Sequence, residues 1–229
     1  MNLKIAFLSQ KGGCGKSTLA RLFAQQFIAP GVRQAEVSGP GDLTALIADM
    51  DYRQGTSARW AAIREREGLK GVRVVPCTSV EAALKAGAGV SALVFDGAPY
   101  ASAQTLEIAR AVDLTVIPTG PSPDDLHPNV LLAHELVQAG LDRECIRLAL
   151  FRVDKDAPRE IAQAVKYIHD AGYQVFVAAL ADKPSYRRAL EAGRSPAETI
   201  NPATGNPYEG LNAAAIALAN EIAAALLDQ

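Results

Sequence analysis

The sequence has few cysteines and no long uncharged apolar segment. Its three cysteines, Cys14, Cys77 and Cys145, stand far apart and form no CxxC pair, which excludes a disulfide framework and a cysteine-based zinc site. No apolar run free of charge reaches the length that crosses a bilayer. The start, MNLKIAFLSQ, lacks the apolar region and cleavage site of a signal peptide. These absences predict a soluble, cytoplasmic protein.

The chain also lacks a strong net charge. Its 229 residues carry a formal charge of -2, and the pI is about 5.9. No overall electrostatic attraction to nucleic acid or anionic lipid is therefore expected. The hydrophobic fraction of 49% is sufficient for one full core. We predict a single domain over residues 1–229.

Short apolar runs alternate with helical patterns along the whole chain. The predicted strands cover residues 3–8, 43–48, 72–77, 91–95, 114–118, 146–153 and 174–180, with a further short strand within 31–41. The predicted helices cover residues 17–28, 56–67, 80–86, 129–138, 159–171 and 211–227. This alternation predicts an α/β fold, a doubly wound and mostly parallel sheet with helices on both faces.

Polar and glycine-rich segments follow several of the predicted strands. A glycine-rich loop follows the first strand, Asp49 follows another, Asp96 a third, and the segment PTGPSPDD a fourth. Ligands bind at the carboxyl ends of the strands in such sheets. We therefore expect these segments to converge at one edge of the sheet.

Residues 9–18, SQKGGCGKST, are the most informative of these segments. The phosphate-binding loop has the pattern G-x-x-x-x-G-K-[ST], but Gln10 stands at its first glycine. Glycines let backbone N–H groups turn toward phosphate oxygens, and the N-terminus of the next helix favours anions. A glycine-rich turn that only joins a strand to a helix is the alternative. The context favours nucleotide binding by Gly12, Gly13, Cys14, Gly15, Lys16, Ser17 and Thr18.

Three side chains around the loop suit the chemistry of a nucleoside triphosphate. Lys16 is placed to neutralise the β- and γ-phosphates, and the Ser17 hydroxyl is placed to hold Mg²⁺. Asp96 ends the run ALVFD, a pattern that positions a carboxylate behind the metal ion. The sequence therefore predicts ATP and Mg²⁺ as ligands.

KGGCGKST resembles the deviant Walker A motif, KGGxGK[ST], of the ParA/MinD family of ATPases. Four further segments are similar to family segments and occur in the family's order: LIADMDYRQGTSARW, LVFDGAPY, DLTVIPTGPSPDDL and PSYRRALEAGRSPAE. Together they cover about residues 10–200. The resemblance implies a P-loop NTPase fold of the deviant Walker A type and an ATPase that converts ATP to ADP and phosphate.

The resemblance also implies roles for individual residues. Lys11 matches the signature lysine, which reaches the phosphates bound by the second subunit of an ATP-dependent homodimer. The family's strand-end DxD segment assigns Asp49 to orient and activate the attacking water, together with Lys11 and Lys16 as catalytic residues. Asp51 is expected to act there or only to cap the next turn.

The chain departs from the family pattern at several positions. Tyr52 and Arg53 stand where proline is frequent, and Gly97 and Ala98 replace the usual residues after the Walker B aspartate. The family often reads adenine with an asparagine near a strand end, where this chain has Phe151-Arg152. Base recognition is therefore unassigned, with backbone near 182–185 as the candidate. No arginine finger in cis is evident.

Three readings of the biological role differ in what they require. A ParA-type partition ATPase would bind DNA non-specifically, associate with the nucleoid in the ATP state, and respond to a centromere-binding, ParB-like adaptor. A MinD-type membrane positioner needs a basic C-terminal helix, and NAAAIALANEIAAALLDQ has no Lys or Arg. A nitrogenase-reductase relative needs cysteines within 97–140, where this chain has none, and amidoligase types usually lack the signature lysine.

The ParA-type reading is favoured, with no membrane partner. Its DNA-binding candidates are Lys183, Arg187, Arg188 and Arg194, in a stretch from 143 to 194 with ten Lys and Arg against seven Asp and Glu. A solvated helix face is the alternative interpretation of this patch. An accessory protein of conjugative DNA transfer or a positioner of non-DNA cargo would have the same sequence features.

Four other residues, Asp124, Asp125, Trp60 and Cys14, have structural interpretations. Asp124 and Asp125 precede a predicted helix and are expected to cap it. Trp60 is predicted to anchor packing, with a partner interface as the alternative. Cys14 is a small filler residue or, less in keeping with its context, an oxidisable thiol at a helix N-terminus.

Overall fold

The computed structural model describes residues 2–29, 43–51, 53–98 and 103–229. The strands are β1 (Leu3–Phe7), β2 (Ala45–Asp49), β3 (Arg73–Pro76), β4 (Ala92–Asp96), β5 (Leu114–Thr119), β6 (Ile146–Val153), β7 (Gln174–Val175) and β8 (Leu180–Ala181). The helices are α1 (Lys16–Phe27), α2 (Thr56–Arg66), α3 (Val80–Ala86), α4 (Ala103–Ala111), α5 (Pro123–Gln138), α6 (Pro158–Asp170), α7 (Pro184–Glu191) and α8 (Glu209–Leu227). The predicted strand within 31–41, Tyr52 and the segment after Ala98 lie outside the described residues.

The described strands form one parallel sheet in the order β3-β2-β4-β1-β5-β6-β7. Strand β8 pairs with the C-terminal part of β6, past the residues of β6 that pair with β7. The central strands are almost continuously apolar and buried, as in LKIAF and ALVFD. Such runs occur where helices cover both faces of a sheet. The predicted fold class is therefore confirmed.

Alternate side chains of each strand pack into two separate cores. Leu3, Ile5 and Phe7 of β1 join a core that includes α1, α8 and Trp60 of α2. Ala6 and Leu8 join the other core, with residues from α3, α4, α5 and α6. This alternation fixes the register of β1, because a one-residue slip would exchange the two faces.

The predicted strand over 174–180 is wrong as a single element. The structure has two short strands there, and they pair with successive parts of β6. Between them Val177 is 94% exposed, and the Glu221 carboxylate accepts from the backbone N–H groups of Val177 and Ala178. The acidic side chain of α8 thus takes hydrogen bonds that a continuous strand would have made to β6.

The helices differ from the predictions at three places. Helix α5 begins at Pro123 instead of residue 129, because proline at the first helical position needs no N–H partner. Helices α4 and α7 were not predicted. Both are short and have few apolar residues, so their helical pattern is weak.

Helix α8 is long and apolar enough to cross a membrane by length and composition, alone among the described helices. It packs instead against α1 and β1, and it buries Ala215, Leu218, Ala219, Ile222, Ala223, Ala225 and Leu226. A buried stripe of this kind is what a core helix has.

Candidate functional site

A cleft of about 260 Å³ opens at the carboxyl ends of β1, β2, β4 and β6. Residues of the 9–18 loop form one wall. Asp51 and Gln54 line a second wall, and Arg152, Lys183 and Arg187 line a third. The glycine loop and residues next to Asp49 and Asp96 therefore meet at this cleft, as predicted. The segment PTGPSPDD does not line the cleft, but it reaches the loop through the ion pair of Asp125 with Lys11.

Two glycines of the loop adopt backbone angles that favour glycine. Gly13 has φ 79°, and Gly15 has φ 105° at the position just before α1. A Cβ on Gly15 would also stand 2.6 Å from Cδ1 of Phe151. Gly15 is thus required both by its conformation and by the packing of the Phe151 ring.

Lys16 is buried with only a weak partner. Its side chain points from the first turn of α1, and the residue is 7% exposed. The Nζ atom donates to the Lys11 carbonyl over 3.3 Å. Burial lowers the pKa of Lys16, and the nearby Asp96 partly opposes that shift. A desolvated ammonium with one long hydrogen bond suits an anionic ligand.

The Asp96 carboxylate is the centre of a buried hydrogen-bond chain. Ser17 donates to its Oδ1 atom over 3.0 Å, and Ser57 donates to its Oδ2 atom over 2.7 Å. The Nε atom of Arg21 donates to the Ser57 hydroxyl over 3.0 Å. Burial raises the pKa of Asp96 to about 6, against the effect of these bonds and of Arg21.

The two aspartates after β2 have different positions. Asp49 is 1% exposed, and its Oδ2 atom accepts from the backbone N–H groups of Ser57 and Ala58 at the start of α2. Asp51 lies two residues further on, beyond the end of the strand, and lines the cleft. The predicted water-activating residue, Asp49, therefore holds the start of α2, and Asp51 is the carboxylate on the cleft wall.

Lys11 forms an ion pair within its own chain. Its Nζ atom lies 2.6 Å from Oδ1 of Asp125, and this hydrogen bond raises the pKa of Lys11. Ser122 donates to the other oxygen of the same carboxylate over 3.2 Å. The prediction that Asp124 and Asp125 cap a helix needs correction, because α5 has already begun at Pro123.

Solved structures share the fold of this chain over almost their whole length. A MinD cell division protein from Aquifex aeolicus is 13% identical, with 97% of each chain covered and a TM-score of 0.71. A ParA family ATPase from Chlorobium tepidum is 16% identical, with 95% of this chain and 98% of that chain covered and a TM-score of 0.61. The chain has the ParA/MinD fold.

A third match to the ParA/MinD fold is a putative plasmid partition protein from Borrelia burgdorferi, bound to AMPPNP. It is 14% identical, covers 98% of this chain and 100% of its own, and has a TM-score of 0.64. No family model matches the sequence, and no curated protein matches it either. The likeness that these comparisons show is therefore one of backbone arrangement.

The residues at the loop of this ParA/MinD fold suit a magnesium ion that is held together with phosphates. The Ser17 hydroxyl and the Asp96 carboxylate lie side by side, and oxygen is the ligand that Mg²⁺ prefers. Among the described residues no group of three or more His, Cys, Asp or Glu could hold a metal ion alone. Mg²⁺ commonly binds through one or two protein oxygens plus substrate phosphates.

The four predicted DNA-binding residues do not form one patch with shared contacts. Lys183 and Arg187 line the cleft, and Arg187 pairs with Asp182 over 3.3 Å. Arg188 is exposed and donates to the Ser185 hydroxyl. Arg194 is half-buried, and its carbonyl accepts from Nε1 of Trp60. Two members of the predicted patch are therefore next to the loop that the sequence assigned to nucleotide.

Two other residues are buried in packing contacts. Trp60 is 2% exposed, in agreement with a packing anchor. Cys14 is 5% exposed and, unlike its loop neighbours, does not line the cleft. Its sulfur lies 3.8 Å from Nδ2 of Asn129, a buried residue of α5 that also accepts from Ser9. The sequence analysis missed Ser57, Arg21 and Asn129, since polar residues within helices give no signal of their own.

Proposed function

We propose that this protein is a ParA-type ATPase that binds Mg²⁺-ATP in the cleft and hydrolyses it to ADP and phosphate. The observation that carries the proposal is the buried Lys16 ammonium beside the Ser17–Asp96 pair. Proteins of this fold provide support: a MinD from Pyrococcus horikoshii is complexed with Mg-ADP, and a McdA from Cyanothece is complexed with ATP.

Phosphoryl transfer requires positioning and neutralisation of charge more than covalent chemistry. The loop N–H groups and Lys16 would bind the phosphates. Ser17 and Asp96 would hold Mg²⁺, which neutralises phosphate charge when bound. Ionised Asp96 is needed for this role, and its raised pKa of about 6 still leaves it ionised at neutral pH.

We assign the positioning of the attacking water to Asp51 instead of Asp49. Asp51 lines the cleft, whereas Asp49 accepts two backbone hydrogen bonds under α2. A residue that orients water must reach the solvent of the site. Asp49 would instead keep Ser57 in contact with Asp96.

The nucleotide state is proposed to control assembly. Lys11 would leave Asp125 and contact the phosphates bound by a second copy, so that ATP favours a homodimer. The dimer would bind DNA non-specifically in the cytoplasm, at the nucleoid, and a ParB-like adaptor would stimulate hydrolysis and release. Plasmid or chromosome partition is the process this serves.

A positioner of non-DNA cargo is the second candidate function. The placement of Lys183 and Arg187 on the cleft favours it, because bound nucleotide would occupy charges otherwise available to DNA. The two candidates differ in one measurement, ATP-dependent binding to unrelated DNA duplexes at several salt concentrations. DNA binding that weakens steeply with salt supports partition, and its absence supports the second candidate.

The ATPase itself is tested by titrating Mg²⁺ with ATP or ADP and by measuring phosphate release. Lys16→Ala should lose nucleotide affinity and turnover together. Asp51→Asn should keep binding and lose most turnover, whereas Lys85→Ala, on a helix away from the cleft, should change neither. Wild-type affinity in Lys16→Ala would contradict the proposed site.

A further inference from the structure

Arg152 has an unusual backbone conformation. Among the described residues it is the one non-glycine residue with a positive φ, at 61°. This left-handed conformation is unfavourable for a residue with a side chain. Residues held in such conformations concentrate at binding and active sites, where the surrounding structure imposes them.

The cause of this conformation is an irregularity in the pairing of β6 with β8. Phe151 pairs with Leu180, and Val153 pairs with Ala181, the very next residue of β8. Arg152 is therefore an extra residue on β6, as in a β-bulge. A bulge redirects a side chain that the regular pleat would have placed elsewhere.

The bulge directs Arg152 toward the loop. The guanidinium lies on the cleft wall, where Nη1 is 3.5 Å from the carbonyl oxygen of Gly13. This is a long contact, and among the described residues no salt bridge to Arg152 is present. A weak bond to one carbonyl does not account for an unfavourable backbone conformation.

The charges around the cleft show which ligand Arg152 suits. Its lining includes the cations Lys16, Arg152, Lys183 and Arg187, and the carboxylates Asp51 and Asp182. Asp182 is already paired with Arg187. The remaining charge is positive, and two of its cations, Lys16 and Arg152, contact carbonyl groups of the glycine loop. A guanidinium in this position can donate two parallel hydrogen bonds to a phosphate group.

We propose that Arg152 is a phosphate-contacting residue for the nucleotide that this same chain binds, positioned by the bulge in β6. The proposal rests on the proposed nucleotide site and adds a specific residue to it. It assigns Arg152 to the polyphosphate and not to the base. An arginine supplied in cis would also reduce the dependence of turnover on a cation from a partner.

The test compares four variants by calorimetric titration with Mg²⁺ and AMPPNP, ADP or adenosine. Arg152→Ala should weaken AMPPNP binding about tenfold, because a charge-assisted hydrogen bond at an exposed site is lost. Arg152→Lys should recover part of the affinity, since it keeps the charge but not the paired donors. Arg66→Ala is the matched control, an exposed arginine of α2 off the cleft lining, and should bind as wild type.

Arg152→Gly separates the backbone from the side chain. Glycine accepts the positive φ, so this variant should unfold at a higher temperature than wild type and still lose the same affinity as Arg152→Ala. A purely structural role for Arg152 would not give opposite changes in stability and affinity. If the loss of affinity caused by Arg152→Ala grows from adenosine to ADP to AMPPNP, the result supports a phosphate contact.

Three outcomes overturn the proposal. Wild-type AMPPNP affinity in Arg152→Ala, with binding lost in Lys16→Ala, removes Arg152 and leaves the proposed ATPase intact. Equal losses for AMPPNP and adenosine assign Arg152 to the base. Failure of wild type to bind any of the three ligands removes both this proposal and the proposed function.

Discussion

Two buried arginines, Arg21 and Arg64, lie beside the same tryptophan and have very different surroundings. The guanidinium carbons stand 5.8 Å and 5.3 Å from the centre of the Trp60 ring, and the residues are 5% and 1% exposed. Burial and the aromatic contact are thus closely matched. The difference between them lies in their hydrogen bonds.

Arg64 has its donors occupied by partners at short distances. Its Nε atom donates to the Lys70 carbonyl over 2.6 Å, and Nη1 donates to Gly193 over 3.0 Å. Nη1 and Nη2 also bind both oxygens of Glu198, at 2.6 and 2.8 Å. This arginine joins α2 to the segment after α7, and it needs no further ligand.

Arg21 is less completely satisfied. Its Nε atom donates to Ser57, but among the described residues its buried Nη2 atom has no hydrogen-bond partner. Burial lowers the pKa of Arg21, and Asp96 and Asp49 oppose that shift. The arginine that stabilises the fold is thus fully paired, whereas the arginine behind the glycine loop retains an unused hydrogen-bond donor.

The largest effect in this comparison is expected at Arg64. Arg64→Ala should lower the free energy of unfolding by about 3–5 kcal/mol, because it leaves Glu198 and two carbonyls without their partner. Arg66→Ala is the matched control on the same helix; its pair with Glu67 is exposed, and pairs of that kind contribute about 0–1 kcal/mol. Urea unfolding measures both variants. Equal losses would show that the paired arginine has no special structural role.

The second effect concerns pH and Asp96. Its pKa rises from 3.8 to about 6 on folding, so between these values the folded chain holds a proton that the unfolded chain has lost. Protonated Asp96 thus contributes to the free energy of unfolding in full below pH 4, and this contribution is lost as the pH rises through 6. At about 1.4 kcal/mol per pH unit, the loss is roughly 3 kcal/mol.

Unfolding in urea with EDTA, from pH 4 to pH 7, measures this effect. The stability of wild type relative to Asp96→Asn should decline across the range, since the variant has no ionisable group there. Carboxylates that do not interact with Asp96 titrate equally in both proteins and cancel in the difference. Parallel curves would contradict the raised pKa.

A smaller loss is expected when the link between Arg21 and Asp96 is cut. Ser57→Ala removes a donor from Asp96 and an acceptor from Arg21, both buried, and should lower the free energy of unfolding by about 1–3 kcal/mol. Ser185→Ala, whose hydroxyl meets only an exposed arginine, should change it by less than about 0.5 kcal/mol. If both variants unfold alike, the Ser57 link does not stabilise the fold.

The smallest effect on stability is expected at Arg21 itself. Arg21→Met keeps most of the buried volume and removes an unpaired donor, which offsets its lost bond to Ser57, so the unfolding free energy should change by no more than about 1 kcal/mol. Affinity for Mg²⁺-AMPPNP should nevertheless fall, because Asp96 loses the cation behind Ser57. A loss of stability as large as that of Arg64→Ala would remove the distinction between the two arginines.

The sequence was sufficient for the alternation of strands and helices and for the glycine loop at the end of the first strand. Loop residues and Asp96 could be predicted because strand, glycine loop and helix are adjacent in the chain, with regular spacing. Ser57 and Arg21 could not, since they meet Asp96 only through packing of α1 and α2. The bulge at Arg152 also has no signal in the sequence, because it arises from the pairing of β6 with the short β8.

The different positions of Asp49 and Asp51 also have a physical reason that the sequence does not show. Both follow the same apolar run, and spacing alone does not show where the strand ends. Asp49 is its last residue and is buried beneath α2, while Asp51 stands beyond it on the cleft. A two-residue difference thus decides which carboxylate meets solvent.

The contact between α8 and α1 has a consequence for how the chain folds. These helices share one core, yet nearly the whole length of the chain separates them. During synthesis, the apolar side of α1 must wait for residues 209–227 before it is covered. Contacts between such distant segments slow folding and prolong exposure of apolar surface. The newly made chain is therefore most prone to aggregation before α8 emerges, even though its glycine loop is completed first.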